Sequence, residues 1–305
     1  MVETMYDRKA PWNGIGTNVE EAANSAEALR LSGLDWKVIS QPVYDADLRE
    51  IEGYKANVRE TDGRVLGIVK NRYQVVQNDE AFAFTDELIG GDVRYETAGS
   101  LNGGRRIWIL AQLPATKIAG DETVPYLCFS NSHDGSTKIM ACMTPVRVIC
   151  QNTLNLAFRK ADRKWATRHT RKVSENILEA RRTLELAGEY METLGKYADQ
   201  MANTRVTDEQ IAKILDELFP SDPDADSKRK MENAKKMKDE FMTAYYMTDL
   251  RPFFGTAWAL INAASDVATH VKPIRNTANY RENNWGRVMD GHAMIDRTVE
   301  LVNAL

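Results

Sequence analysis

The sequence predicts an α+β fold: an antiparallel, hairpin-built sheet of about six or more strands within residues 30–150, then helices to the C-terminus. Three turn dipeptides carry the first part. Asp62-Gly63, Asn102-Gly103 and Asp134-Gly135 each separate two β-rich segments, and such pairs supply the positive φ angles that tight hairpins need. A switch to helical periodicity after about Ser174 carries the second part, together with the capping box Thr207-Asp208-Glu209-Gln210.

In chain order, the first hairpin joins Tyr54–Glu60 to Arg64–Lys70. Asn78-Asp79-Glu80 then opens a short helix carrying Ala81, Phe82, Phe84, Thr85, Leu88 and Ile89, and Gly90-Gly91 stops it. The second hairpin joins Val93–Leu101 to Arg105–Leu113, and the third joins Pro125–Ser132 to Thr137–Met143. Gln151–Phe158 reads as a further helix start, with Leu154 and Phe158 four residues apart on one face. Ser174 can cap a helix carrying Ile177, Leu178, Leu184, Ala187, Met191 and Leu194, and the capping box opens one carrying Ile211, Ile214, Leu215 and Leu218 that Pro220 ends. After an acidic loop come a charged helix over Lys228–Met247 and an apolar one over Phe253–Val271, opened by Pro252 and stopped before Pro273. Met231, Met237, Met242 and Met247 read as core filler. The natural division is a sheet-plus-helix core over residues 1–172 and a helical region over 173–305.

Composition narrows the function classes. At 43% hydrophobic and 28% charged, the chain is ordinarily globular, and no run approaches the roughly 20 apolar residues of a membrane span. Met1–Pro11 lacks the apolar core of a signal peptide, and three cysteines, Cys128, Cys142 and Cys150, are too few and too bunched for a disulfide framework. A cytoplasmic protein with no membrane partner is expected. Phosphate-loop and nucleophile-elbow motifs are missing. Ser132-His133-Asp134 matches a catalytic triad only in letters, because three consecutive side chains on a turn cannot align for proton relay. His133, His169, His270 and His292 show no ligand spacing, and Cys128 and Cys142, in opposite arms of one hairpin, read as small core residues. Neither enzymatic activity nor a cofactor is expected.

The strongest functional signal is charge. Arg147, Arg159, Lys160, Arg163, Lys164, Arg168, Arg171 and Lys172 fall in one stretch with a single acid, Asp162, in a chain of net charge −4. A cationic stretch on an otherwise anionic surface is the footprint of a polyanion-binding site, and Trp165 is available to stack on a base. The same residues fit the solvated face of a helix, with Trp165 as its apolar anchor.

Several motifs occur together in a recognisable order. Pro11–Thr17 (P-W-N-G-I-G-T), Gly33–Trp36 (G-L-D-W), Tyr73–Asn78 (Y-Q-V-V-Q-N), Glu96–Leu101 (E-T-A-G-S-L), Gly104–Trp108 (G-R-R-I-W), Ser130–Gly135 (S-N-S-H-D-G), Thr144–Leu154 and Gly255–Ala259 (G-T-A-W-A) resemble the phage/plasmid-like proteins of the domain of unknown function nine-three-two. Asn13 departs from the His often found there. The resemblance implies a mobile genetic element and no known activity. The order of elements from Asp79 to Lys172 is similar, at the level of topology, to the Rad-fifty-two type single-strand annealing proteins. That likeness implies a groove lined by Arg94, Arg105, Arg106, Lys138 and Arg147 from strands and by Arg159, Lys160, Arg163 and Lys164 from a helix, to which the basic stretch adds Trp165 and Arg168. It implies single-stranded DNA as ligand and a homo-oligomeric ring or filament, with a phage exonuclease or host single-strand-binding protein as further partner. The function expected is single-strand binding and annealing in homologous recombination; the other class that fits is a protein-interaction module such as an inhibitor of host defence.

Overall fold

The computed structural model describes residues 14–88, 94–147, 154, 156, 163–170, 182–222, 227–271, 285–286 and 291–305. Among the described residues, ten strands form two antiparallel sheets. The smaller has the order β2 (Val38–Tyr44), β3 (Glu50–Arg59), β4 (Val65–Lys70). The larger has the order β1 (Thr17–Asn18), β5 (Arg94–Leu101), β6 (Arg106–Gln112), β8 (Asp121–Ser132), β9 (Ile139–Arg147), β10 (Lys164–Thr167), with β7 (Thr116–Ile118) also paired to β8. All three turn dipeptides join the strands they were read to join: β3 to β4, β5 to β6 and β8 to β9. Gly63, Gly103 and Gly135 have φ of 69°, 68° and 72°, the region that favours glycine.

Both faces of the large sheet are buried. Ile107, Ile109, Leu127, Phe129, Ile139 and Ala141 on one face pack with α1 (Ser25–Ser32) and α2 (Asn78–Leu88). Trp108, Leu110, Cys128 and Cys142 on the other pack with Trp285. The helical half comprises α3 (Arg182–Asn203), α4 (Asp208–Leu218), α5 (Lys228–Tyr245), α6 (Ala257–His270) and α7 (Ala293–Asn303). Its core is continuous with the sheet: Ile118 and Met143 lie in one apolar cluster with Tyr190, Leu194, Trp258 and Ile295. The Thr207–Gln210 capping box forms in both directions, and Met237 and Met242 fill gaps against this cluster.

The structure revises several readings. The first hairpin, with β2 added, makes a sheet of its own instead of joining the large one. Arg163 and Lys164 do not lie on a helix. Lys164–Thr167 is an edge strand whose residues pair with Cys142–Ile139, a conformation that the β-favouring Trp165 and Thr167 suit. Leu154 and Leu156 are also non-helical and wholly buried; the Leu154 amide donates to the Pro145 carbonyl, and the Tyr190 hydroxyl serves both leucines. The rest of the Gln151–Phe158 reading, and the Ser174 cap, lie outside the described residues. Pro252 sits inside a short 3-10 turn, Thr248–Phe253, and does not open α6. Gly255 at φ 75° reverses the chain first, and the Thr256 side chain caps the helix by accepting the Ala259 amide.

Candidate functional site

Three segments meet at the end of the large sheet where β8 turns into β9. A glycine makes the approach of the small sheet feasible: a Cβ on Gly67 of β4 would fall 2.5 Å from the Asp134 Cα. The turn itself is held by Asp134, whose Oδ1 accepts from the Ser136 amide (2.9 Å) and hydroxyl (2.6 Å). The three segments enclose a cleft of about 560 Å³, lined by Ile68–Lys70 and Arg72-Tyr73, by Asp134–Lys138, and by Arg168–Thr170.

Below the cleft lies a buried polar cluster assembled from three of the motifs singled out in the sequence. Tyr73 stacks on His169 with ring centroids 4.5 Å apart and 17° between planes, and its hydroxyl donates to the Ser132 carbonyl. His169 Nε2 lies 2.8 Å from Asn131 Oδ1, while Asn131 Nδ2 donates to Val76 O at 3.0 Å. His133 Nε2 is likewise 2.9 Å from Asn78 Oδ1, and Asn78 Nδ2 donates to Leu34 O at 2.7 Å. Trp36 meets His133 edge-on at 5.4 Å, with the Arg59 guanidinium 5.0 Å from its ring centroid. Thus Y-Q-V-V-Q-N, S-N-S-H-D-G and G-L-D-W are three parts of one cluster. Burial lowers the His133 pKa to about 3 and, against an opposing pull from Asp134, that of His169 to about 4. Both rings are therefore neutral near pH 7. Burial, reinforced by Asp134, pushes the Tyr73 phenol well above its usual range. Ser132, His133 and Asp134 point to three different partners, since the Ser132 hydroxyl donates to Thr137 O; no relay joins them.

The cleft rim is cationic. Lys70, Arg72, Lys138 and Arg168 are exposed there against the single acid Asp134, and among the described residues none of the four is ion-paired. Exposed cations gathered around a concavity are equipped to hold an anion such as a phosphate. Among the described residues no group of three His, Cys, Asp or Glu is placed to hold a metal. Cys128 and Cys142 are paired across β8 and β9 as buried thiols.

Of the residues singled out from sequence, the structure brings Lys138 and Arg168 together in the cleft, because β10 runs antiparallel to β9 and delivers Arg168 just past the Thr167–Ile139 pair. Arg105 and Arg106 lie at the same end of the sheet: Arg106 pairs with Ser132 and its Nε donates to Ser130 Oγ, while the Arg105 carbonyl accepts the His133 amide. Arg94 is at the far end of β5, twelve positions before Arg106 and opposite Gln112. Arg147 is likewise remote, paired with Thr123, and its side chain lies outside the described residues. Arg163 is only 9% exposed and donates to Met143 O, and its guanidinium counters the burial that raises the Asp296 pKa. Lys164, half-buried, is at the opposite end of β10 from the cleft, four residues before Arg168. Trp165 packs, half-buried, against the apolar cluster of Ala141 and Phe129, as a residue of an edge strand and not as the anchor of a helix. Arg159 and Lys160 lie outside the described residues. Sequence reading missed Lys70, Arg72, Tyr73 and the pairing of His169 with Asn131. The available signal was Y-Q-V-V-Q-N, which directly follows Lys70–Arg72 in the chain.

Fold and site together define an α+β protein with a cationic cleft built over a buried His–Asn–Tyr cluster. A family model described as Domain of unknown function (DUF932) matches residues 65–287, about three quarters of the chain, and the chain belongs to that family. The matched span starts at β4 and so takes in all three walls of the cleft. No curated protein and no solved structure matches the chain. No helix among the described residues is long and apolar enough to cross a membrane.

Proposed function

We propose that this protein binds single-stranded DNA in the cationic cleft and promotes strand annealing for a phage or other mobile element, in the cytoplasm and as a homo-oligomer. The observation that supports this reading is the set of four exposed cations, Lys70, Arg72, Lys138 and Arg168, around one concavity in a chain of net charge −4. Four like charges around one concavity match the repeating charge of a phosphodiester backbone. A cleft of about 560 Å³ holds only a few nucleotides, so a longer strand requires clefts of neighbouring subunits placed side by side. The test is annealing of complementary oligonucleotides followed by fluorescence quenching, with light scattering on the same samples. Acceleration over the protein-free rate by a multi-subunit species is the expected result; an unchanged rate together with no binding to single strands overturns the proposal.

One observation favours the protein-interaction reading. Leu48, 82% exposed, sits at φ 61° at the tip of the β2–β3 hairpin, flanked by Asp45, Asp47, Glu50 and Glu52. A bulky apolar side chain held in the left-handed region on an acidic arm suits insertion into a partner. Under this reading Leu48→Ser abolishes a protein contact and leaves DNA binding intact.

A further inference from the structure

The small sheet turns one face to the body and one to solvent. Gly67 and Val69 face the β8–β9 turn, where they meet Asp134 and Gly135. The opposite face is set by register: Tyr54 is paired with Lys70, and Ile68 with Ala56. Directly paired residues share a face, with Cβ atoms roughly 5 Å apart. Tyr54 is 43% exposed and Ile68 58%, with Val65 at 50% beside them. An aromatic ring and two aliphatic side chains in solvent would ordinarily be buried, and here they border the cations of the cleft, since Ile68 and Lys70 belong to both surfaces.

We propose that this face, centred on Tyr54 and Ile68, is a platform for the bases of the strand whose phosphates lie in the cleft; the inference rests on the single-strand reading above. A strand with phosphates on Lys70 and Arg72 must place its bases to one side of them. The apolar side adjoining Lys70 is Tyr54 and Ile68. Every base has a π-face, so such a platform binds without sequence preference, and a duplex, whose base faces are already stacked, cannot use it. The platform therefore confers preference for single over double strands, which cations alone do not give.

The experiment compares the full-length protein on three fluorescein-labelled ligands of equal length by anisotropy: a thymidine oligonucleotide, an abasic oligonucleotide with the same phosphates, and a duplex. The wild type is expected to bind the thymidine strand about 5- to 100-fold more tightly than the abasic one. Tyr54→Ala should remove that difference, Tyr54→Phe should keep it, and both should leave the salt dependence unchanged. Tyr54 is exposed, so neither change is expected to alter folding, and the unfolding midpoint of each variant verifies this. Equal binding of thymidine and abasic strands by the wild type, or a difference that survives Tyr54→Ala, overturns the platform while leaving the cleft in place, and assigns this face to another occupant such as a protein. Failure of the wild type to bind any of the three overturns the single-strand reading itself.

Discussion

The carboxamide of Asn131 fixes the chemistry of His169. Because Asn131 Nδ2 donates to the Val76 carbonyl, its Oδ1 is the atom facing His169, 2.8 Å away. His169 Nε2 must then carry the proton, which leaves the lone pair on Nδ1. Asn78 imposes the same tautomer on His133 through Leu34 O. The carboxamides set the tautomer, and burial keeps both imidazoles neutral near pH 7 beneath the cationic cleft.

This arrangement makes stability acid-sensitive well above the carboxylate range. The folded-state values, about 3 for His133 and about 4 for His169, lie below the ordinary imidazole value near 6.5. As pH falls below 6.5 the unfolded chain takes up protons that the folded chain refuses, so their contribution is complete above 6.5 and is lost progressively toward 3–4. The two together should give a slope approaching about 2.7 kcal/mol per pH unit. Urea unfolding between pH 6.5 and 5 should show it, and His169→Gln should remove about half. An acid slope identical in the variant would refute this account.

Gly67→Ala should damage stability and site together. The new Cβ would lie 2.5 Å from Asp134 Cα and 2.6 Å from its Cβ, and a backbone atom cannot rotate out of the way. Separation of β4 from the β8–β9 turn should cost about 1–3 kcal/mol, read by urea unfolding. It should also weaken oligonucleotide binding, because the two walls of the cleft part. Wild-type stability in the variant would show that the two sheets tolerate a wider gap.

How much of this was legible follows from where each signal resides. Asp62-Gly63, Asn102-Gly103 and Asp134-Gly135 announced their hairpins because the turn needs those residue types locally. The β7–β8 turn was silent: Ala119 and Gly120 adopt φ of 49° and 85° without the usual Asn or Asp. Helix α1 was likewise unread, although Asn24 caps it through the Glu27 amide and Gly33 ends it at φ 66°. Charge density pointed to the stretch containing Arg163 and Arg168, and could not tell that one would be buried against Met143 O and the other exposed in a cleft. That distinction depends on β10 pairing with β9, a contact more than 20 residues distant in sequence. The cleft combines Lys70, Lys138 and Arg168 from three segments, so no local pattern contained it.

Trp165→Ala separates packing from base stacking. The indole is half-buried against the cluster of Ala141 and Phe129. As an anchor it should contribute stability, and its removal should cost about 1–3 kcal/mol, less than the 3–5 of a fully buried tryptophan. Affinity per folded molecule for single strands should stay at the wild-type value. Unchanged urea unfolding with weakened binding would return Trp165 to the DNA interface.

The cleft and the basic stretch make opposite predictions about salt. Counterion release contributes about −0.7 per phosphate contact to the slope of log affinity against log salt for single strands, so four cations in the cleft give about −2.8. Replacing Lys70, Arg72, Lys138 and Arg168 together by alanine should flatten the slope nearly to zero and weaken all sequences alike, since phosphates carry no base information. Replacing Arg163 and Lys164 should leave the slope where it was: Arg163 is 9% exposed with its guanidinium committed to Met143 O, and Lys164 lies at the opposite end of β10 from the cleft. Arg163 removal should instead lower stability, because it takes from the partly buried Asp296 the larger of its two opposing charges, Arg163 and Lys164. Anisotropy titrations over a salt series measure both variants. A slope that persists in the cleft variant and collapses in the Arg163 and Lys164 variant would move the binding site from the cleft to the opposite end of β10.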